Sequence, residues 1–325
     1  MLALLKLFDG LFLGWGIGAN NAGNMFGTAV GTGAVKYRTA VVCVAVFVLV
    51  GSILEGYKLY DGYKFDKSGE FKVSFTQAAV ATTAGAASIM VQTYFGIPTS
   101  TTQNAIGGVM GISILSMGMA GISWTKLLYW LVSWIILPIA SAAVSYAGVR
   151  GLGWVVQRTV KRVAVLNTIY KIGLLVFGCY GAYAMGANNV VVTTGPFYQA
   201  GFFGDPSRAH AIWAATLGGV AMAVGALTYG GNVIRTVGKD ITALDPFSAL
   251  IAVLTHSLVV HFFTQLAIPV SSSQAIVGAV AGVGLVRGVS TVNARKLWAI
   301  FSAWFLSPVV AALLAIGIAL ALGIR

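Results

Sequence analysis

Hydrophobic residues run along this chain in long blocks, with polar residues gathered between the blocks or at a few interruptions inside them. The blocks cover residues 3–35, 39–59, 73–121, 124–149, 164–204, 208–234, 246–287 and 295–323. A helix crosses about 30 Å of hydrocarbon with roughly 20 apolar residues, so each block predicts one or more membrane helices. Four blocks are interrupted by glycine, proline or amides: near Gly18, at 96–103, at 186–196 and at 268–274. Two polar stretches stand apart, the loop Asp61–Glu70 and the basic segment Arg150–Arg162.

The interruptions come in pairs. Gly18-Ala19-Asn20-Asn21 returns as Gly186-Ala187-Asn188-Asn189, about 170 positions downstream. Ile97-Pro98-Thr99-Ser100-Thr101-Thr102-Gln103 is answered by Ile268-Pro269-Val270-Ser271-Ser272-Ser273-Gln274, and Trp134 to Pro138 by Trp304 to Pro308. One shared offset implies an internal duplication. Residues 1–149 form a first repeat, 164–325 a second, and 150–163 a basic cytoplasmic linker. If each half crosses the membrane an odd number of times, the repeats are inverted. The count stays odd whether 73–121 makes two crossings or one re-entrant hairpin. The expected fold is an all-α polytopic membrane protein of two inverted repeats, with broken helices and re-entrant hairpins.

Composition agrees. Hydrophobic residues make up 58% and charged residues 9%, with a mean hydropathy of +0.88, whereas soluble domains carry about 25% charged residues. The net charge of +12 does not indicate nucleic acid, because the basic residues lie in short loops between apolar runs. There they orient the chain. The richer side holds Lys36, Arg38, Arg150, Arg158, Lys161 and Arg162 among others, so it is assigned to the cytoplasm. Both termini are then external, in a multi-pass protein of the cell membrane. The apolar start has no small-residue cleavage site, so the first helix is expected to be retained. Cys43 and Cys179 fall in apolar segments and imply no disulfide.

The interruptions carry the candidate chemistry. A broken helix leaves N–H groups that lipid cannot satisfy, and an anion gains from them and from the helix dipole. Asn20, Asn21, Asn24, Asn188 and Asn189 bring amides that donate and accept. In the proline phrases a helix start needs one capping hydroxyl, yet each phrase offers three: Ser100, Thr101, Thr102 and Ser271, Ser272, Ser273. The surplus suits a tetrahedral oxyanion, or oxygen ligation of a small cation. The plainer alternatives are interhelical packing by the asparagines, against which recurrence at matched positions weighs, and simple N-capping, which accounts for one hydroxyl of each three. The sequence has no His/Cys/Asp/Glu cluster with metal-ligand spacing and no serine with a placed base, so an enzyme is not expected.

These motifs resemble those of the inorganic phosphate transporter family, whose duplicated signature reads Gly-Ala-Asn-Asp-Val-Ala-Asn-Ala. The family phrase Pro-Val-Ser-Thr-Thr-His is similar to 98–103 and 269–274, and Asn232–Gly238 is similar to a further family element. The resemblance spans nearly the whole chain. It implies secondary anion uptake coupled to Na⁺ or H⁺, usually of phosphate, by a homodimer in the lipid bilayer, without other cofactors. The chain departs from the pattern at Asn21 and Asn189, where the family has aspartate, and at Gln103 and Gln274, where it has histidine. Val192 replaces the next asparagine of the second copy, with Thr193 and Thr194 alongside; Thr193 joins the substrate candidates.

All eight acids lie outside the repeated phrases, so the expected centre is neutral. A carboxylate can accept a hydrogen bond from protonated phosphate but only repels sulfate. The residues therefore lean to sulfate, with phosphate a close second. Gln103, Gln274 and Asn24 are candidates for holding a coupling cation. His256 and His261 read more simply as neutral residues bonded to neighbouring helices than as a proton relay. A passive anion channel is the rival of a different class.

Overall fold

The computed structural model describes residues 7–61, 73–97, 99–235, 244–288 and 294–324. Its helices are α1 (Phe8–Gly31), α2 (Tyr37–Leu54), α3 (Phe75–Tyr94), α4 (Thr101–Met117), α5 (Trp124–Thr159) and α6 (Val163–Asn189). They continue with α7 (Val191–Gln199), α8 (Arg208–Tyr229), the short α9 (Gly231–Arg235), α10 (Pro246–Gln265), α11 (Ser272–Val286) and α12 (Ala294–Ala321). Among the described residues six stretches are long and apolar enough to cross a membrane: α2, Leu127–Val156 of α5, the α6–α7 rod Val163–Gln199, α8, α10 and α12. The chain is an all-α, multi-pass membrane protein. Most of the loop at 61–70 and the end of the Asn232–Gly238 element lie outside the described residues.

The two proline phrases form helical hairpins, α3 with α4 and α10 with α11. Local signals set where the arms begin. Ser74 and Gln77 make a reciprocal capping box at the start of α3. Asp245 caps α10, accepting from the backbone N–H groups of Phe247 (2.8 Å) and Ser248 (3.0 Å), with Pro246 in the first turn. At the turns, Gly96 and Ala267 hold matching left-handed backbones, with φ of 65° and 55°. For alanine this geometry is strained, so the turn must be held by its surroundings. The return arm α11 has 15 residues and is about 22 Å long, shorter than the hydrocarbon and fit for a re-entrant arm.

Two sequence expectations are corrected. The helix break near Gly18 does not occur: α1 runs unbroken from Phe8 to Gly31. Gly18 is instead a contact point, because a Cβ there would collide with the carbonyl of Met222 on α8. The second copy is interrupted only slightly. Val190 between α6 and α7 keeps helical angles (φ −62°, ψ −32°), so the rod steps rather than unwinds. The asparagines need no break, since their side chains bond other elements while the backbone keeps its own ladder. The basic segment is largely helical: α5 continues through Arg150 and Arg158 to Thr159, leaving only Val160, Lys161 and Arg162 before α6. Residues 150–159 contain no Pro, and the helix runs on through Gly151 and Gly153. Their arginines lie over Tyr146 (5.2 Å) and Trp154 (4.1 Å), one turn back on the same face.

The repeats interlock in space. Gly18 of α1 meets Met222 of α8, and its counterpart Gly186 of α6 meets Val48 of α2. Gly107 on α4 abuts Pro308 on α12, and Gly278 on α11 abuts Pro138 on α5. Each hairpin's return arm therefore packs on the proline-bearing helix of the other half. Proline removes one ladder donor; near Pro308, the Ser307 hydroxyl reaches the freed carbonyl of Trp304 at 3.4 Å. This crossing of halves brings both hairpin tips against the middle of α1 and the end of α6.

Candidate anion-binding centre

The hydroxyl triplets divide their work. Ser100 is the N-cap of α4 and accepts from the Gln103 N–H (3.3 Å); Ser271 does the same for α11 with Gln274 (3.2 Å). Both hydroxyl oxygens act as caps, as plain capping predicts. The remaining hydroxyls, Thr101, Thr102, Ser272 and Ser273, are buried in the first turns of two helices contributed by opposite repeats. With the third N–H of each helix capped, the first-turn N–H groups before it remain outside the helical ladder. Both helices bring the positive ends of their dipoles here.

The paired asparagines also split. Asn20 donates to Thr93 Oγ1 (2.9 Å) and to the Ile97 carbonyl (3.2 Å). Asn188 donates to Thr264 Oγ1 (3.0 Å) and the Ile268 carbonyl (2.9 Å), and accepts from the Val270 N–H (2.8 Å). Their amide N–H groups brace the hairpin turns, while Asn20 Oδ1 is buried without a partner in the chain. Thr93 and Thr264 were not singled out from the sequence, although each precedes its Ile-Pro phrase at the same spacing in both repeats.

Asn21, Asn24 and Asn189 line the centre. Asn21 donates to Thr101 Oγ1 (3.0 Å), while Ser273 donates to Asn21 Oδ1 (3.3 Å). Asn24 Nδ2 lies 3.0 Å from Asn21 Oδ1, 3.0 Å from Ser273 Oγ and 3.4 Å from Ser272 Oγ. On the other side Thr102 Oγ1 sits 3.0 Å from the Val270 carbonyl and 3.5 Å from Asn189 Oδ1. These bonds join α1 to α11 and α4 to α6, so the first repeat's amides meet the second repeat's hydroxyls and the reverse. His256 is a further member, its Nε2 2.8 Å from Ser272 Oγ. No pattern in the sequence tied it to that serine.

Thr193 does not join them. Its hydroxyl donates to the Val190 carbonyl (2.7 Å), and its side chain packs against Gly218 of α8 and Gly14 of α1. Its one-step bond stabilises the offset between α6 and α7.

Several buried polar atoms at the centre make no hydrogen bond within the chain: Asn189 Nδ2, a donor, and Asn24 Oδ1, Gln103 Oε1 and Gln274 Oε1, all acceptors. A buried polar atom without a partner costs about 1–3 kcal/mol, so each favours a ligand of opposite character. An anion suits the amide donor, the hydroxyls and the helix starts. A cation suits the three carbonyl oxygens. The side chains assembled here are amides, hydroxyls and an imidazole, with no carboxylate among them.

Comparison with known proteins matches this arrangement. The profile described as the phosphate transporter family matches residues 17–168 and again residues 157–315, once for each repeat. A protein of Pyrococcus furiosus, provisionally named a phosphate permease, is 28% identical over 96% of this chain and 94% of its own length. Inorganic phosphate transporter 2-1, a chloroplast protein of Arabidopsis thaliana, is 25% identical over 97% of this chain and 71% of its own. Among solved structures, one described as the sodium-dependent phosphate transporter superposes with a TM-score of 0.89 at 22% identity, covering 99% of each chain, which establishes the shared fold. None of these relatives is named for sulfate, so the sulfate preference drawn from the neutral lining has no support from them. The chain belongs to the phosphate transporter family, and is by that membership a membrane transporter and not an enzyme.

Proposed function

We propose that this chain is a secondary permease that carries an inorganic tetrahedral oxyanion, binding it where the two hairpin tips converge. The observation that supports this most strongly is the meeting of the α4 and α11 N-termini from opposite repeats beside the unpaired buried amide N–H of Asn189. Inverted repeats with such half-helix ends near the midplane are the architecture of alternating access. The anion neutralises the two helix starts, the hairpins close over it, and rearrangement against the interlocked long helices exposes it to the other side.

Phosphate is the first substrate reading, supported by the names of the relatives. Sulfate is the second, because Asn21 and Asn189 put amides where a carboxylate would accept the proton of hydrogen phosphate. Na⁺ is the coupling cation supported by the neighbour's description and by the free oxygens of Asn24, Gln103 and Gln274, which suit a hard cation. The chain works as a homodimer with external termini and its basic inter-repeat segment in the cytoplasm.

The test is uptake of radiolabelled phosphate and sulfate into proteoliposomes. Accumulation above equilibrium under an inward Na⁺ gradient is expected, against mere equilibration for a passive channel. Suppression by unlabelled competitor then ranks the two anions. Failure to move either anion overturns the reading.

A further inference from the structure

The two cysteines, which stand at unmatched positions of the two repeats, meet in space. Cys43 lies on α2 of the first repeat and Cys179 on α6 of the second, and both are free. Contacts between these helices fix their register. The Ser52 hydroxyl donates to the Gly186 carbonyl (3.2 Å), and a Cβ on Gly56, just past α2, would strike the Val190 side chain. One offset serves both pairs, so α2 and α6 run in the same direction. Carrying that offset back about two and a half turns from Ser52 sets Cys43 level with Phe177, about 3 Å of rise from Cys179. The side chain of Cys43 is accordingly the neighbour of Cys179.

Packing keeps the pair together and leaves it within reach. A disulfide needs Cα atoms no more than about 7 Å apart, a separation that only closely packed helices offer. Gly51 against the Tyr183 backbone and Gly186 against the Val48 backbone provide such packing. Both cysteines are half-buried, each lying on one side against the core. Cys179 lines an open groove of about 530 Å³ together with Phe47, which stands one turn after Cys43 on the same face of α2. Cys43 itself is six residues, about 9 Å of rise, from the start of α2 at Tyr37. A small neutral oxidant can enter by the groove or from that helix end.

With hydrogen peroxide the chemistry closes on itself. One sulfur attacks a peroxide oxygen: an S–O bond forms, the O–O bond breaks, and the other oxygen leaves as water with the thiol's proton. The second sulfur attacks the sulfenic sulfur: an S–S bond forms, the S–O bond breaks, and a second water leaves. The two sulfurs together give up two electrons, and one peroxide takes them. The product is reversible, and it diverts both thiols from the irreversible sulfinic and sulfonic acids.

We propose that Cys43 and Cys179 are an oxidant-reactive pair, which peroxide closes to a disulfide that ties the first repeat to the second across α2 and α6. This goes beyond the oxyanion-permease reading and does not depend on it. Cys179 stands about 15 Å of rise before Asn189 on α6, away from the oxyanion centre, and the test reads thiols and stability rather than transport. The closed loop is about 136 residues long, and cross-links that close long loops constrain the unfolded chain most.

The experiment treats the purified, reduced protein in detergent with hydrogen peroxide and then denatures it for thiol counting. The count is expected to fall from two per chain to none, and dithiothreitol to restore both. Mass spectrometry of an unreduced digest should show the Cys43 peptide joined to the Cys179 peptide, in a chain that runs as a monomer on a non-reducing gel. The melting temperature of oxidised wild type should rise by about 5 °C, with no rise for C43S or C179S. In each variant the remaining thiol should go on to the sulfinic or sulfonic acid. Thiols that persist in wild type, oxygen added to its sulfurs without a bridge, or a bridge between two chains overturns the proposal. A bridge that leaves the melting temperature unchanged overturns the tie between repeats. The wild-type count and digest decide the matter even if neither variant folds.

Discussion

Asn188 accepts the backbone N–H of Val270 at 2.8 Å, and this bond fixes the tip of one hairpin to the helix that carries the repeated motif. The same amide holds the Ile268 carbonyl at 2.9 Å, so one side chain satisfies both sides of a turn. The turn includes Ala267 in a left-handed backbone, a conformation that alanine keeps only when its neighbours impose it.

Removing the brace should therefore cost more than a surface change. Asn188→Ala leaves a buried N–H and a buried carbonyl unpaired, a loss of about 1–3 kcal/mol in stability. Transport should drop more steeply than stability, since Ser272 and Ser273 follow the turn directly. Thermal unfolding in detergent and initial uptake rates check the two effects. Unchanged uptake would mean the turn holds its shape without Asn188.

Gly186 and Gly317 provide a matched pair. A side chain at Gly186 runs into the Val48 backbone, whereas Gly317 on α12 faces open space. Gly186→Ala should destabilise by about 1–3 kcal/mol through overpacking. Gly317→Ala should be neutral or gain about 0.5–1 kcal/mol from helix propensity. The melting temperature should fall for Gly186→Ala and hold or rise for Gly317→Ala. A common shift would deny the close α2–α6 approach.

The amides at the centre set the charge of the site. Asn21→Asp together with Asn189→Asp places carboxylates beside the bound anion. Competition by sulfate should weaken relative to phosphate by about tenfold, because only hydrogen phosphate has a proton to offer a carboxylate. An unchanged ratio would mean that neither side chain faces the substrate.

The contrast among the asparagines explains what could be read from the chain. The duplication, the two hairpins and the capping serines were legible, because proline, glycine and hydroxyl spacing act locally on the backbone. The continuity of α1 was not. Gly18 suggested unwinding, but it serves an approach by Met222, which lies far along the sequence. Likewise nothing local distinguishes Asn20, which braces a turn, from Asn21, which lines the centre. On a helix, adjacent residues point in different directions, and only the placement of neighbouring helices decides which direction is the site. Charge marked the basic segment as polar, but α5 continues through Gly151 and Gly153 to Thr159.

The central claim is that the oxyanion sits between the starts of α4 and α11. Arsenate and selenate are heavy-atom counterparts of phosphate and sulfate, so anomalous diffraction from crystals soaked in each would locate the anion directly. A peak within hydrogen-bonding reach of Thr102, Asn189 and Ser273 is the expected result. A peak elsewhere in the protein, or none there under conditions where the same anion blocks uptake, would contradict it.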